Sequence, residues 1–149
     1  MLLSQTTEYA VRAMLFIAAR EPSAVRASEL ARSLELPRNY LGKTLGALAR
    51  VGLLSSTRGP SGGFRLGRAA DSITLIDITH AFAPATARRC LLGLGPCGQN
   101  PGCPVHHRWL PSAQAIDHFF ATTTIAELVA PPCTSAPRPL MHHPLLHVT

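Results

Sequence analysis

No uninterrupted apolar run of about 18 residues occurs in this sequence, so no segment reads as a membrane-spanning helix. The opening residues do not read as a secretory signal either, because Glu8 and Arg12 break the apolar positions. Internal repeats are missing, which argues against an array of stacked units. A paired acid/base constellation, a nucleophile motif and a phosphate loop are missing too: RGPSGG lacks the Gly-Lys-Ser/Thr ending that a P-loop needs. An enzyme is therefore not expected. Lysine is nearly absent, with Lys43 alone beside 13 Arg, an imbalance that genomic base composition by itself can produce.

Acidic residues are also scarce. Eight carboxylates against fourteen basic side chains give a net charge of +6 and a pI near 9.9, which favours polyanionic partners or simply solubility. The 149 residues, 46% of them hydrophobic, suffice for one compact domain or a small domain with appendages. A cytoplasmic, reducing location is expected. There, four cysteines are expected to bind metal or do redox chemistry rather than form disulfides.

The periodicity predicts a first helix from a cap at Ser4 or Thr6 to about Arg20, with Ala10, Met14, Ile17 and Ala18 on one face. A short second helix follows over residues 28–34 with Ser28 as its cap, then a tight turn at Glu35 and Leu36. Pro37 suits the first position of a third helix, which buries Leu41, Leu45, Leu48 and Val51 and stops at Gly52. Two short helices around a turn, the second basic, suggest a helix-turn-helix. LLSSTR, then GPSGG, then FRLGR read as a glycine-rich hairpin, which completes the layout of a winged helix. Residues 71–82 read as a fourth helix with Thr74 as cap and Asp77 three residues on. After an irregular segment over 83–105, helical pattern resumes around His107 to Phe120, and Thr124 caps a short TIAELV helix. Residues 131–149, with five Pro and three His, are expected to be disordered.

On such a fold the third helix presents Arg38, Asn39, Tyr40 and Lys43 opposite its leucines. Asn39 can pair with adenine, and Arg38 with guanine or phosphate. At the wing tip, Arg58 with Gly59, Pro60, Ser61, Gly62 and Gly63 suits close approach to a minor groove. Ser28 joins these candidates at the start of the second helix. Taken singly, Tyr40 reads equally well as core packing and Arg38 as a solvated surface charge.

RRCLLGLGPCGQNPGCPVHHRW is the other feature. Its spacings are Cys-x6-Cys and Cys-x5-Cys, with His106 three residues after Cys103. Structural zinc usually takes ligands in closer Cys-x2–4-Cys pairs, although three Cys and one His could hold it. A disulfide is disfavoured by the compartment and by the odd count in the segment, Cys133 lying apart in the tail. A redox thiol, an unliganded loop and an iron–sulfur site stay open.

SQTTEYAVRAML, YLGKTLGALARVGLLSSTRGPSGGFRLGR and the three-cysteine loop together resemble the Rrf-type winged-helix regulators, over about residues 1–130. The resemblance implies a fold that is mainly α with a small β-hairpin wing. A winged helix-turn-helix domain would occupy residues 1–82, a cysteine-rich cluster-binding loop 83–106, a dimerisation helix and short C-terminal helix 107–130, and a tail 131–149. It implies a homodimer on a palindromic double-stranded DNA operator, with repression as the expected sense. It also implies an iron–sulfur cluster, [2Fe–2S] ahead of [4Fe–4S], on Cys90, Cys97 and Cys103. The fourth ligand would be Glu8 from the partner's first helix, as in NsrR-like members, or His106, as in IscR-like members, with Glu8 slightly ahead. The same fold without a cluster, sensing oxidants through its thiols, is the first alternative. A small metal- or redox-handling protein that is not a regulator is the second. The extra residue between Cys90 and Cys97, the glycine at 42 and the lysine at 43 depart from the IscR-like pattern, and Pro111 must kink or delay the dimer helix.

Overall fold

A computed structural model describes residues 3–59, 62–82, 90–92, 97 and 103–129. The expected disordered tail, Cys133, Pro60, Ser61 and most of the cysteine segment lie outside these described residues.

Helix α1 (Gln5–Ala18) starts where Ser4 turns its hydroxyl back onto the Thr7 N–H, 3.2 Å away, satisfying one of the donors a helix start leaves open. Its apolar stripe, Ala10, Ala13, Met14 and Ile17, is fully buried. Helix α2 (Ala27–Ser33) differs from the sequence expectation. Arg26 is its N-cap, with no side-chain cap bond, and Ser28 sits exposed inside the first turn rather than capping it. The turn that follows is held from outside: Arg12 on α1 donates to the Leu34 carbonyl at 3.0 Å, placing a cation at the negative end of α2.

Helix α3 (Arg38–Arg50) starts one residue later than expected, with Pro37 as its N-cap rather than its first helical residue, and buries Leu41, Thr44, Leu45 and Leu48. It ends in a Schellman motif. Gly52, at φ 75°, donates to the Ala49 carbonyl and Leu53 to that of Leu48. Leu48 and Leu53 are both buried at this closure. Val51 is 52% exposed, contrary to expectation, because the helix has already ended there and the chain turns away from the core.

Strands β1 (Leu54–Thr57) and β2 (Gly63–Leu66) pair antiparallel, Leu54 opposite Leu66, which puts both leucines on the core side. Val25 extends the pairing through two backbone bonds to Phe64, at 2.8 and 2.9 Å. The expected fourth helix over residues 71–82 is shorter: a 3-10 turn at Ala70–Ser72 precedes α4 (Leu75–His80). The expected Thr74 and Asp77 do form a reciprocal capping box there.

Helix α5 (His106–Thr122) begins one residue before the expected start and contains Pro111 in its second turn. The proline does not delay the start; lacking an N–H, it cannot donate to the His107 carbonyl. Helix α6 (Ile125–Val129) repeats the capping box, with Thr124 and Glu127 exchanging bonds of 2.8 and 3.3 Å. The two boxes meet: Leu75 N–H donates to Thr123, Ile125 N–H to Ile73, and Ile73 and Ile125 are fully buried. Helix α6 thereby joins the core built by α1, α3 and the wing. Among the described residues, no helix is long and apolar enough to cross a membrane.

Candidate DNA-binding face and cysteine site

The amphipathicity of α3 decides which side chains it can offer. With Leu41, Leu45 and Leu48 turned inward, Arg38, Asn39 and Lys43 are exposed together on the other side. Gly42 lies among them, and a Cβ there would meet nothing within 4 Å. Tyr40 is differently employed. Its ring stands edge-on to Tyr9 with centroids 5.6 Å apart, and its hydroxyl pairs with that of Thr6. Gln5 in turn donates to the Tyr9 hydroxyl at 2.9 Å. Tyr40 thus ties the first turn of α3 to the first turn of α1, and the packing reading of this residue has direct contacts behind it. Thr6, Tyr40, Lys43, Thr44, Ala47 and Phe82 line a shallow apolar cleft of ≈ 250 Å³ beside these contacts.

On the wing, Arg58 is exposed at the end of β1 and Gly59 adopts φ 112°, a conformation that favours glycine. Gly62 and Gly63 have internal reasons to lack a side chain. A Cβ on Gly62 would run into the Thr57 carbonyl, and one on Gly63 would lie 2.7 Å from the Val25 carbonyl oxygen. Arg65, opposite Ser55 on β2, is a second exposed wing cation that the sequence candidates omitted. Its place directly after Phe64 in an alternating strand was the available signal.

At the cysteine site, Cys90, Cys97 and Cys103 all carry thiols rather than disulfides. Cys90 is 8% exposed, the other two half-buried. The structure brings these side chains together in two pairs. Cys90 Sγ lies 3.5 Å from Cys103 Sγ, and Cys97 Sγ lies 3.4 Å from His106 Nδ1. His106 is the first residue of α5, and its N–H donates to the Cys103 carbonyl at 3.3 Å, so the helix start and the cysteine segment are joined. Among the described residues, no three His, Cys, Asp or Glu side chains converge closely enough to hold one metal ion. Glu8 stands exposed in the first turn of α1. Three residues beyond His106, the Trp109 indole Nε1 is buried with no hydrogen-bond partner.

A profile described as "Rrf2: Iron-dependent Transcriptional regulator" matches residues 3–131. A protein of Aquifex aeolicus assigned as an HTH-type transcriptional regulator is 36% identical over 133 residues, 87% of this chain and 92% of the relative. The HTH-type transcriptional regulator IscR of Klebsiella pneumoniae (strain 342) is 33% identical over 131 residues, 87% of this chain and 80% of that one. Among solved structures, CymR, the global cysteine regulator of B. subtilis, superposes with a TM-score of 0.68 at 23% identity, over 85% of this chain and 95% of its own, a likeness of fold. The alternative of a metal-handling protein outside the regulator class does not stand beside these matches.

Proposed function

The chain belongs to the Rrf2 family of transcriptional regulators, and on that premise we propose that it binds a palindromic DNA operator as a homodimer under the control of an iron–sulfur cluster. Its relatives are regulators, not enzymes. Arg38, Asn39 and Lys43 on α3 would reach base edges and phosphates, with Arg58 and Arg65 on the wing adding phosphate contacts and Ser28 at the start of α2 nearby. The homodimer is supported by α5, which buries only Ala113 and leaves Phe119 53% exposed, a face that a second copy of the helix can cover. A two-fold axis would set the two α3 helices ~34–36 Å apart, matching successive major grooves.

The observation that carries the control half is the pairing of Cys90 with Cys103 and of Cys97 with His106 at the start of α5. Cluster ligands attach to different irons and need not converge on one point, so two adjacent pairs suit a [2Fe–2S] cluster better than a single ion. We assign Cys90, Cys97, Cys103 and His106 as the ligand set. Glu8 of a second copy, slightly ahead on sequence alone, becomes the competing fourth ligand. When bound, the cluster would supply a one-electron redox couple and an iron whose non-Cys ligand is the easier one to displace. Cys90 seats the segment against the protein, and His106 ties it to α5.

Anaerobic purification with an absorbance spectrum and iron and sulfide assays tests this reading. A coloured chain is expected; a colourless chain carrying zinc after reconstitution would overturn it. His106→Ala and Glu8→Ala, made separately, identify the fourth ligand by which one destabilises the cluster. The 3.5 Å approach of Cys90 and Cys103 favours a second reading in the same fold. Peroxide would take two electrons and two protons from these thiols, leaving a disulfide and two waters. A colourless chain whose operator affinity changes reversibly with peroxide and a dithiol reductant would establish it.

A further inference from the structure

Two buried side-chain donors among the described residues have no hydrogen-bond partner: Nε of Arg12 and Nε1 of Trp109. The Arg12 guanidinium already spends another nitrogen on the Leu34 carbonyl. Trp109 has no such outlet. Its indole carries one donor and no acceptor, and that donor is unused. Leaving a buried donor without an acceptor costs more than a typical hydrogen bond contributes, so natural folds rarely keep one unless something absent from the bare chain satisfies it.

The position of Trp109 names the missing acceptor. The residue sits three places beyond His106 on α5, and positions three apart share a helix face. His106 is in contact with Cys97 through Nδ1 and with Cys103 through its backbone. The backbone N–H of Trp109 is itself satisfied by the Val105 carbonyl at 2.8 Å, so the unmet requirement belongs to the indole alone. His106 thus brings the cysteine site to the start of that face. A neutral thiol is a weak acceptor, and none among the described residues stands within hydrogen-bond reach of the indole in the bare chain. A ligand thiolate or inorganic sulfide carries negative charge and accepts far better.

We propose that the Trp109 indole N–H donates to a sulfur of the cluster-loaded cysteine site, making Trp109 a positioning residue that tunes the cluster rather than a ligand. The inference rests on the cluster reading above and deepens it. Hydrogen bonds to cluster sulfurs are among the factors that set reduction potential. Reduction adds negative charge to those sulfurs, so the N–H stabilises the reduced state more than the oxidised one. Removing it makes the potential more negative.

Trp109 is the only tryptophan in the chain, so its replacement during biosynthesis changes one position alone. The test uses the full chain, purified anaerobically with its cluster, in three forms: unsubstituted, Trp109→Phe, and with the indole replaced by benzothienylalanine, which keeps the bicyclic shape but carries sulfur in place of N–H. Both substituted forms are expected to bind a cluster and to favour reduction about tenfold less, a shift of ~59 mV for a one-electron couple. In the unsubstituted chain, the Raman band that reports indole N–H hydrogen bonding should move between the cluster-free and loaded states. A loaded analogue with an unchanged potential, or an indole band indifferent to loading (as a bound water acceptor would give), overturns the role of Trp109 and leaves the cluster reading standing. An unsubstituted chain that never takes up a cluster overturns both. Should Trp109→Phe fail to fold, the isosteric analogue decides alone.

Discussion

The sharpest prediction concerns Tyr40, which the sequence places on the DNA-reading face and the structure places against α1. The ring is 37% exposed, so nearly two-thirds of its surface is out of water. An aromatic side chain buries 150–250 Å² when fully covered, so Tyr40 buries roughly 130 Å², worth about 3 kcal/mol at about 25 cal/mol per Å². The edge-on pair with Tyr9 adds about 0.5–1.5 kcal/mol. The hydroxyl contact with Thr6 lies near the surface and belongs at the low end for a hydrogen bond, about 0.5–1 kcal/mol. Tyr40→Phe should therefore lower stability by about 0.5–1 kcal/mol, and Tyr40→Ala by about 4–5 kcal/mol. Urea unfolding reads both as shifts of the midpoint at constant slope. The decisive version is a double-mutant cycle of Thr6→Ala with Tyr40→Phe, which should return a coupling of about 0.5–1 kcal/mol. Zero coupling, together with a loss of operator affinity in Tyr40→Phe at unchanged stability, would show that the hydroxyl serves DNA and not α1.

The other perturbations test the face and its frame. Lys43→Ala and Arg58→Ala should weaken binding to a promoter fragment, and each phosphate left without its cation should reduce the salt slope by about 0.9; salt-insensitive binding would argue against both contacts. Gly42→Ala enters open space and should stabilise the chain by about 1 kcal/mol in thermal unfolding; a fall in operator affinity at the same time would reveal close approach of DNA to this turn. Gly62→Ala forces a Cβ into the Thr57 and Arg58 backbone and should cost about 1–3 kcal/mol, measured by urea unfolding. Leu45→Ala, at a fully buried position of α3, should cost about 2–5 kcal/mol by the same assay.

Much of this architecture is legible wherever local chemistry has one solution. Ser4, Thr74 and Thr124 precede apolar periodic runs, and each caps the helix it precedes. Gly52 after a leucine-striped helix leaves little choice but a left-handed stop. Legibility fails where tertiary contacts outbid the local signal. Ser28 has the residue type of a cap, but Val25 is tied to Phe64 of the wing, and the chain enters α2 at Arg26 instead. Tyr40 follows Asn39 in a helix of alternating character, and nothing local distinguishes a residue facing DNA from one facing Tyr9, 31 positions earlier in the chain. The glycines of RGPSGG suggest room for DNA in sequence, yet at Gly62 and Gly63 the wing's own backbone already requires them. The cysteine site is legible as a set of residue types. The pairing of Cys97 with His106 is not, because it depends on where α5 begins, and helix starts without a capping side chain leave little trace in sequence.

The placement of α5 gives these separate pieces a mechanical relation. Its first residue touches the cysteine site through His106, and its body packs on α4. Its end hands the chain to Thr124, where the caps of α4 and α6 lock together through Thr123 and Ile73. Helix α6 then packs on α1, and α1 reaches the first turn of α3 through Thr6, Tyr9 and Tyr40. The first joint, Cys97 with His106, and the last, at Tyr40, are made by side chains, the first part-buried and the last exposed; between them run packed helices and backbone hydrogen bonds. A series of contacts is not itself a measured coupling. It does identify which joint can yield most cheaply. Core contacts resist displacement because close-packed interiors have few alternative arrangements, whereas a surface-exposed hydroxyl pair exchanges with water at little cost. If a change at the cysteine segment is to reorient α3 without unfolding the domain, the junction at Tyr40 is where the structure has least to lose.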